Sequence, residues 1–362
     1  MAAAGLFLKH RAPRGVIRIK VARLKKQEKP AAALISAVQT RPAEIKNMGT
    51  KKFKHIYGPV ASRRLGRSLG IDLIPHKTCS YDCIYCQLGR TTCKTVERRE
   101  YVPTNDVLEE LREKLSAGVP CDYISLAGCG EPTLHSSIGK IIENIKEMTK
   151  IPVAVLTNGS LLYLPEVRDS LMKADLVIPS LDAGDEDIFQ YVNRPHKNIS
   201  FDLMINGLID FTRQFSGHVW LEILLISGVT GMAAEVKKIA AWAKKISAEK
   251  IQLNTVDRPA VEDFACAVEK KQMEKLAGLF SKTVEIIGGA QSANIPEETY
   301  QDTADADILT LLTRRPSTLS GICAGLGLHP HDAAKRLQRL LEEKAITTIR
   351  ADHDLFYTPV GK

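Results

Sequence analysis

The feature that most constrains this chain is a regular alternation between short apolar runs and segments with helical periodicity across residues 69–280. Apolar runs of this length predict strands, and runs without polar alternation are typical of parallel sheets that are buried on both faces. Repeated β–α units of this length form a right-handed parallel barrel or part of one. The chain has six such units rather than eight, so the sequence predicts an α/β fold with a partial, TIM-like (β/α)6 barrel. The predicted strands span residues 69–75, 122–128, 152–159, 174–183, 219–227 and 250–256.

Polar and glycine-containing segments follow the predicted strands. In parallel β/α folds, the side chains at the carboxyl ends of the strands gather at one mouth of the barrel and carry the chemistry. One polar strand end would be unremarkable, but a full set predicts a single site assembled around the rim. After the second to sixth strands these segments are GCGEPTLH (128–135), TNG (157–159), SLDAG (180–184), SG (227–228) and NTVDRP (254–259).

The segment HKTCSYDCIYCQLGR (76–90) follows the first predicted strand and holds three of the eight cysteines, Cys79, Cys83 and Cys86. Three thiolates from one loop can ligate three irons of a [4Fe–4S] cluster and leave the fourth iron without a protein ligand. Four cysteines would close the cluster for electron transfer alone. The C-x3-C-x2-C spacing therefore indicates an iron–sulfur enzyme whose open iron takes a substrate or cosubstrate.

Two other interpretations of this cysteine loop stay open. His76 and the three cysteines could supply a tetrahedral Cys3His zinc site, although structural zinc usually joins two separated pairs of ligands. The three cysteines could also be buried core residues without a ligand role. The other cysteines are scattered and each is more typical of a core position than of a ligand: Cys93, Cys121, Cys129, Cys266 and Cys323.

The overall composition is that of an ordinary globular protein. The 362 residues are 44% hydrophobic and 25% charged, and no apolar run approaches the length of a membrane span. The first ten residues, MAAAGLFLKH, have too short an apolar stretch for a secretory signal. We therefore expect a cytoplasmic protein without membrane contact, in a compartment where clustered thiols stay reduced and are available to bind metal.

The N-terminal segment differs from the rest of the chain in its charge. Residues 1–50 hold eleven Lys and Arg against two Glu, a net charge of +9, whereas the whole chain carries +8, which leaves −1 for the remainder. The segment is rich in Ala and Pro and lacks sustained periodicity. We expect residues 1–47 to be a basic, disordered and dispensable extension, with Met48 as an alternative start. A nucleic-acid-binding arm and an Arg-rich targeting peptide are the other interpretations.

A second, smaller domain is predicted over residues 303–362. Three segments with helical periodicity are followed by TTIRADHDLFYTP, which predicts a two-stranded hairpin. A helix, a helix–turn–helix and a hairpin in this order predict a winged-helix-like module. Residues 302–362 hold eight basic and eight acidic residues, so docking of nucleic acid and docking of protein are both open functions. Residues 288–302 are the predicted linker between the two domains.

The cysteine loop, with Tyr85 directly before its last cysteine, resembles the signature of the radical S-adenosylmethionine (SAM) superfamily. GCGEPTL after the second predicted strand is similar to the glycine–glutamate–proline motif of those enzymes, with Cys129 where a small polar residue is common. TNG and SLDA stand where the family places further contacts to its cosubstrate. The resemblance covers roughly residues 56–260 and implies a partial (β/α)6 barrel, which we expect to occupy residues 48–287.

This resemblance also implies the cofactors and the chemistry. The three cysteines would hold a [4Fe–4S] cluster that cleaves SAM reductively, and the resulting 5′-deoxyadenosyl radical would take a hydrogen atom from the substrate. The electron would come from a donor of the flavodoxin or ferredoxin type. Glu222, in the fifth predicted strand, is a candidate for the barrel interior. The residues implied to contact SAM are Tyr85, Gly128, Gly130, Glu131, Thr157, Asn158, Ser180 and Asp182.

The sequence leaves the substrate open between RNA and peptide. YGPVASRRLGRSLGIDLIPHKTCSYDCIYCQLGRTT (57–92) resembles a subgroup related to wyosine-base synthases, which modify tRNA, but no cysteine precedes Cys79 here. An iron–sulfur redox regulator that binds nucleic acid through the winged helix is the alternative function. Arginines near a catalytic mouth suit phosphate or carboxylate, and surface ion pairs are the other interpretation. The candidate substrate contacts are Arg63, Arg64, Arg67, Asn193, Arg194 and His196.

Overall fold

The computed structural model describes residues 53–287, 305–351 and 354–361. The predicted N-terminal extension over residues 1–47 and the predicted linker over residues 288–302 lie outside the described residues. Among the helices in the described ranges, none is long and apolar enough to cross a membrane.

Strands form the frame of the molecule. In chain order they are β1 (Ile56–Ser62), β2 (Gly66–Ile71), β3 (Thr78–Cys79), β4 (Cys93–Lys94), β5 (Tyr123–Leu126), β6 (Val153–Thr157), β7 (Leu176–Pro179), β8 (His218–Leu225), β9 (Lys250–Thr255), β10 (Val284–Ile287), β11 (Ile346–Ala351) and β12 (Asp354–Pro359). Eight of them form one sheet in the order β1-β2-β5-β6-β7-β8-β9-β10. β1 is antiparallel to β2, and the other neighbouring strands of this sheet are parallel. β11 and β12 form an antiparallel hairpin.

The helices that lie between strands of the main sheet and pack in its core are α1 (Thr104–Ser116), α2 (Ile138–Met148), α3 (Pro165–Leu171), α4 (Glu186–Val192), α5 (Phe201–Gln214), α6 (Ala233–Ala243) and α7 (Lys270–Ala277). Between that sheet and the hairpin lie α8 (Asp305–Arg314), α9 (Leu319–Leu326) and α10 (Pro330–Glu342). In α2, residues 138, 141, 142 and 145 are buried isoleucines at helical spacing. They pack in one core with the apolar side chains of β5 and β6, which explains why this segment folds as a helix against the sheet.

All six predicted strands are present, as β2 and β5 to β9, which confirms an α/β fold with a mostly parallel sheet. The sequence did not predict β1 and β10, which lie at the two edges of the sheet. β1 contains Gly58 and Pro59, and these residue types disfavour the interior of a strand but are tolerated in an edge strand. β10 has only four residues, too few for a recognisable pattern.

β8 shows how the strands divide their side chains between two environments. After the exposed His218 at the start of HVWLEILL, fully buried residues alternate with partly buried ones. Val219, Leu221 and Ile223 pack in the core between the sheet and the helices. Glu222 therefore points to the opposite face, as expected from period-2 alternation, and lines a cavity.

The C-terminal residues form three helices and the hairpin, in the order that the sequence predicted. α8, α9 and α10 share a core that includes Leu312, Ile322 and Leu337, and Val60 of β1 packs against it. This segment therefore covers the antiparallel edge strand of the main sheet, which would otherwise be open to pairing with another chain. Its classification as a winged helix stays a prediction.

A buried ion pair links this segment to the end of β2. The Arg314 guanidinium lies 2.6 Å from Asp72 Oδ2, and the exposed fractions of the two side chains are 11% and 8%. The backbone N–H of Cys129 also donates to the Asp72 carboxylate, at 3.1 Å. Arg314 stacks over the Tyr57 ring, 4.3 Å from its centroid. Asp72 therefore ties together the GCGEP turn and the C-terminal helices.

Replacing Arg314 by methionine should lower the free energy of unfolding by about 3 kcal/mol, because the Asp72 carboxylate would stay buried without its cation. The matched control is Arg67→Met, since Arg67 pairs with Asp122 on the surface, where the side chains are 50% and 46% exposed. That change should cost less than about 1 kcal/mol. Equilibrium unfolding in urea measures both values. Equal costs for the two variants would contradict the assigned role of the buried pair.

Candidate active site

The three clustered cysteines lie in the loop between β2 and α1. Their thiols are partly buried. Burial, and next the Glu131 charge, raise the pKa of Cys79 to about 12. Burial raises the pKa of Cys83 well above its ordinary value, and Cys86 and Cys79 raise it further. Such thiols stay protonated at neutral pH unless a metal centre supplies the compensating charge.

Each of the three sulfurs faces a nitrogen donor. Asn158 Nδ2 lies 3.6 Å from the sulfur of Cys79, and Asn193 Nδ2 lies 3.6 Å from that of Cys83. Lys77 Nζ lies 4.0 Å from the sulfur of Cys86. Donors of this kind stabilise negative charge on sulfur, as required around thiolates that ligate a cluster.

Lys77 is a contributor to this site that the sequence did not predict. It is only 5% exposed and its ammonium also donates to the Gly89 carbonyl oxygen, so the loop folds back over it. A lysine ahead of the first cysteine carries no sequence signal that separates it from a solvated surface lysine.

The zinc alternative finds no geometric support. Within the part of the chain that the structure describes, no three His, Cys, Asp or Glu side chains are grouped as ligands of a single metal ion. A [4Fe–4S] cluster requires more widely spaced sulfurs than a single metal ion does, because each thiolate binds a different iron of the cube.

The GCGEP turn after β5 needs its two glycines. Gly128 has a φ of +107°, and a Cβ there would collide with the Asp72 carboxylate. A Cβ on Gly130 would collide with the carbonyl oxygen of Thr78, the residue before the first cysteine. The turn can therefore pack directly against the cysteine loop only without side chains.

Glu131 organises the adjacent strand ends. It is 2% exposed, and the Thr133 and Thr157 hydroxyls both donate to its Oε1 at 2.6 Å. The Asn158 backbone N–H donates to Oε2 at 2.8 Å. Burial raises the pKa of Glu131, and these hydrogen bonds oppose the rise. Glu131 thus holds Asn158 where its amide reaches the Cys79 sulfur.

Asp182, like Glu131, accepts hydrogen bonds from several neighbouring groups. The Tyr85 hydroxyl donates to its carboxylate, as do Asn193 Nδ2 at 3.1 Å and the Leu224 backbone N–H at 2.9 Å. Burial raises the pKa of Asp182 to about 6. Asp182 therefore positions Tyr85 and Asn193, and its contact with SAM stays a prediction.

A cavity of about 370 Å³ joins these elements. Eleven of the residues that the sequence singled out line it: Arg63, Arg64, Cys79, Tyr85, Gly128, Gly130, Glu131, Thr157, Asn158, Ser180 and Glu222. Glu222 forms an ion pair with Arg64. Arg258, from the predicted rim segment 254–259, lines the cavity as well, and so do Arg314 and Arg315, which the sequence did not predict.

Comparison with known proteins identifies the family. A family model described as the radical SAM superfamily matches residues 73–243. A UPF0026 protein of Methanocaldococcus jannaschii is 35% identical over 269 residues, which cover 72% of this chain and 82% of that protein. The chain belongs to the UPF0026 family, and residues 73–243 match the radical SAM superfamily. Members of this superfamily are enzymes, and the cofactors are a [4Fe–4S] cluster and SAM.

Two further matches of this chain say less about its function. A protein of Brachyspira hyodysenteriae named GTPase Obg is 42% identical over 293 residues. They cover 80% of this chain but 43% of that protein, so the GTPase activity in its name is not transferred. The crystal structure of a radical SAM methyltransferase from Sphaerobacter thermophilus aligns over 60% of this chain and 65% of that chain, with 15% identity and a TM-score of 0.46.

Four of the predicted substrate contacts do not line the cavity, namely Arg67, Asn193, Arg194 and His196. Arg67 pairs with Asp122 at the surface. Arg194 pairs with Glu262, at 2.5 Å. The backbone N–H of His196 donates to the Ser80 carbonyl oxygen, at 2.8 Å. His196 thus holds the cysteine loop at Ser80, and Asn193 contacts a cysteine sulfur instead of the cavity.

Proposed function

We propose that Cys79, Cys83 and Cys86 ligate three irons of the cluster and that the protein generates a radical from SAM to modify an RNA or peptide substrate. The observation that carries this proposal is the nitrogen donor at each of the three sulfurs, beside a cavity lined by strand ends. When bound, the reduced cluster and SAM together supply a 5′-deoxyadenosyl radical that removes a hydrogen atom from the substrate.

The chain's own residues orient SAM and exclude water. Gly128 and Gly130 bring main-chain groups to the cavity wall without side chains. Thr157, Asn158 and Ser180 present short polar groups from the ends of β6 and β7, suited to the carboxylate and hydroxyl groups of SAM. Tyr85 closes another part of the wall, and Asp182 holds its hydroxyl. With SAM and substrate bound, these residues would exclude water from the reacting groups.

The domain division is also proposed. Residues 48–287 would form the radical SAM barrel, and residues 303–362 a winged-helix-like module after a linker over 288–302. Three helices and a hairpin in the described part support the module.

An external electron donor is required, and we propose one of the flavodoxin or ferredoxin type. From the resemblance of residues 57–92, we also propose that the chain is affiliated with the subgroup related to wyosine-base synthases. Because superfamily members are enzymes, we favour an enzyme over the alternative of a redox regulator.

Anaerobic reconstitution with iron and sulfide tests the function. Incubation of the reconstituted protein with SAM and dithionite should yield 5′-deoxyadenosine and methionine, measured by chromatography with mass detection. The control without dithionite should yield neither. A cluster that assembles and is reduced, without any 5′-deoxyadenosine, would contradict the proposed activity and favour the regulator.

The contact between Lys77 and Cys86 gives a prediction that does not depend on turnover. Lys77→Met should make the reduction potential of the cluster more negative by on the order of 60 mV, the equivalent of about 1.4 kcal/mol for one electron. The physical reason is that a cation near a ligand sulfur favours the more negative, reduced cluster. A redox titration followed by electron paramagnetic resonance measures the shift. Lys94→Met is the matched control, because Lys94 is an exposed lysine of the same region. Equal potentials in wild type and Lys77→Met would refute the role.

A further inference from the structure

Three segments outside the cysteine loop bind directly to its backbone. One includes β4, one follows α4 and one follows β9. Each makes a main-chain hydrogen bond to the loop, so each lies directly against residues 79–84. The donors are the N–H groups of Thr95, His196 and Glu262, and the acceptors are the carbonyl oxygens of Cys79 at 3.0 Å, Ser80 at 2.8 Å and Ile84 at 3.2 Å, respectively.

Positive charge predominates in these segments. Residues 87–95 and 194–199 contain no Asp or Glu and four basic residues, Arg90, Lys94, Arg194 and Lys197. Two carboxylates contact these residues in the described part of the chain. Glu262 pairs with Arg90 and Arg194, and Asp82 accepts from the Thr91 backbone N–H at 2.7 Å. Four cations against two carboxylates leave an excess of two positive charges.

The four basic residues are connected to one another by contacts. Lys94 Nζ donates to the Arg194 carbonyl oxygen at 3.1 Å, which joins β4 to the stretch after α4. The Glu262 carboxylate lies 2.9 Å from the Arg90 guanidinium and 2.5 Å from that of Arg194, which joins both to the stretch after β9. Lys197 lies three residues beyond Arg194 and is exposed, as Lys94 is. The charges therefore form one surface region against the outside of the cysteine loop.

Two exposed aromatic side chains lie beside these charges. Tyr191 and Phe264 are 48% and 47% exposed, and their rings stack with centroids 6.3 Å apart. Tyr191 is three residues before Arg194, and Phe264 is two residues after Glu262, so the rings lie next to the ion pair that joins the two segments. A single exposed aromatic side chain needs no explanation, whereas paired rings bordered by charged residues are typical of a protein interface. We call these two aromatic residues and the four basic residues the outer patch.

We propose that the outer patch is the docking surface for the electron donor, an acidic one-electron carrier protein. This inference rests on the proposed function, because only a cluster that is reduced during the reaction needs such a partner. In the complex, the reduced carrier would lose one electron and the oxidised cluster would gain it. The excess positive charge would attract an acidic carrier and steer its approach. A patch of this size is enough, because electron-transfer partners form small and short-lived interfaces.

The position of the outer patch favours a carrier over a nucleic acid. Basic residues interleaved with aromatic rings also suit single-stranded RNA. An RNA substrate, however, has to reach the cavity beside Cys79, and none of the six residues of the outer patch lines that cavity. An electron carrier instead has to approach the cluster while the cavity stays free for SAM and the substrate. The outer patch meets both conditions, because its segments bind the backbone of the cysteine loop from outside the cavity.

Calorimetric titration of the reconstituted full chain with oxidised flavodoxin, and separately with a ferredoxin, measures docking without turnover. Wild type should bind at least one of the two carriers at low salt, and added KCl should weaken this binding. Lys197→Glu should weaken it by roughly fivefold, because the charge at the surface is reversed. Phe264→Ser should weaken it by roughly tenfold, because an aromatic contact is lost. Residues 1–50 are the same in all variants, so their basic charge does not affect the comparison.

Lys173→Glu is the matched control for the charge reversal. Lys173 is an exposed lysine directly before β7, at the amino ends of the parallel strands. The cysteine loop follows β2 and lies at the carboxyl ends, so the two positions are at opposite ends of the sheet. Lys173→Glu should bind the carrier like wild type.

A second measurement compares two reductants of the cluster. With flavodoxin kept reduced by NADPH and flavodoxin reductase, Lys197→Glu should need roughly fivefold more flavodoxin for the half-maximal rate of SAM cleavage. With saturating dithionite, a small molecule that needs no docking surface, Lys197→Glu should cleave SAM within about twofold of wild type. If a ferredoxin is the carrier that binds, it replaces flavodoxin, with its own reductase.

The outcomes separate this inference from the proposed function. Equal carrier affinity in wild type, Lys197→Glu and Phe264→Ser would overturn the docking surface, as would SAM cleavage with dithionite when neither carrier binds. If the variants lose affinity for tRNA but not for the carrier, the outer patch binds nucleic acid and the inference is wrong. If Phe264→Ser loses its cooperative unfolding transition, Lys197→Glu decides. Carrier binding that depends on the outer patch, without SAM cleavage by dithionite, would instead overturn the enzyme proposal.

Discussion

Replacement of Cys83 by alanine is expected to abolish both cluster assembly and SAM cleavage. Cys83 is the central cysteine of the loop, and the Asn193 amide lies 3.6 Å from its sulfur. Loss of an outer partner of a metal ligand typically costs about 10–100-fold in metal affinity or activity, and loss of the ligand itself should cost more. Iron and sulfide content after anaerobic reconstitution measures assembly, and the yield of 5′-deoxyadenosine measures cleavage.

Two other cysteines provide matched controls for this experiment. Cys93 and Cys266 are exposed thiols outside the C-x3-C-x2-C loop. Alanine at either position should leave iron content, sulfide content and SAM cleavage within about twofold of wild type, since surface substitutions change stability little. Cleavage that survives in Cys83→Ala, or is lost in Cys266→Ala, would show that the ligands have been assigned to the wrong cysteines.

The second large effect is expected for Gly130→Ala. The added Cβ would collide with the carbonyl oxygen of Thr78, a backbone atom that cannot swing away as a side chain can. Relief requires the GCGEP turn and the cysteine loop to separate, which would displace Cys79. Overpacking of this kind costs about 1–3 kcal/mol and occasionally more. We expect the free energy of unfolding to fall by about 3 kcal/mol and SAM binding to fall at least tenfold, as measured by urea denaturation and equilibrium dialysis.

Gly321→Ala is the control for this change. A Cβ on Gly321 would lie 3.4 Å from Thr318 Oγ1, an ordinary contact, and the residue is in the helix α9. Alanine in a helix should be neutral or stabilising by about 0.5–1 kcal/mol. If Gly130→Ala bound SAM like wild type with undiminished stability, close packing of the turn on the cysteine loop would not be the reason for glycine there.

The parallel strands were the part of the fold that local sequence predicted well. Segments such as VAVL (153–156) and LVIP (176–179) are apolar along their full length because the strands they form are buried. The edge strands β1 and β10 escaped prediction because an edge position relaxes the demand for apolar residues and tolerates Gly58 and Pro59. Whether an edge strand forms also depends on the segments that cover it. At β1, the cover comes from α9 and the neighbouring helices.

The candidate site likewise combines features that the sequence predicted with features that only the folded chain shows. Sequence alone determined the cysteine spacing and the glycines of the GCGEP turn, because each is a local arrangement within a few residues. Only the tertiary structure decided which side chains meet across the chain: Lys77 folded back onto Cys86, and Arg63 and Arg258 beside Arg315. The physical reason is that a local pattern restricts backbone shape, whereas the charge and the shape of a cavity depend on segments more than 200 residues apart, such as 63 and 315.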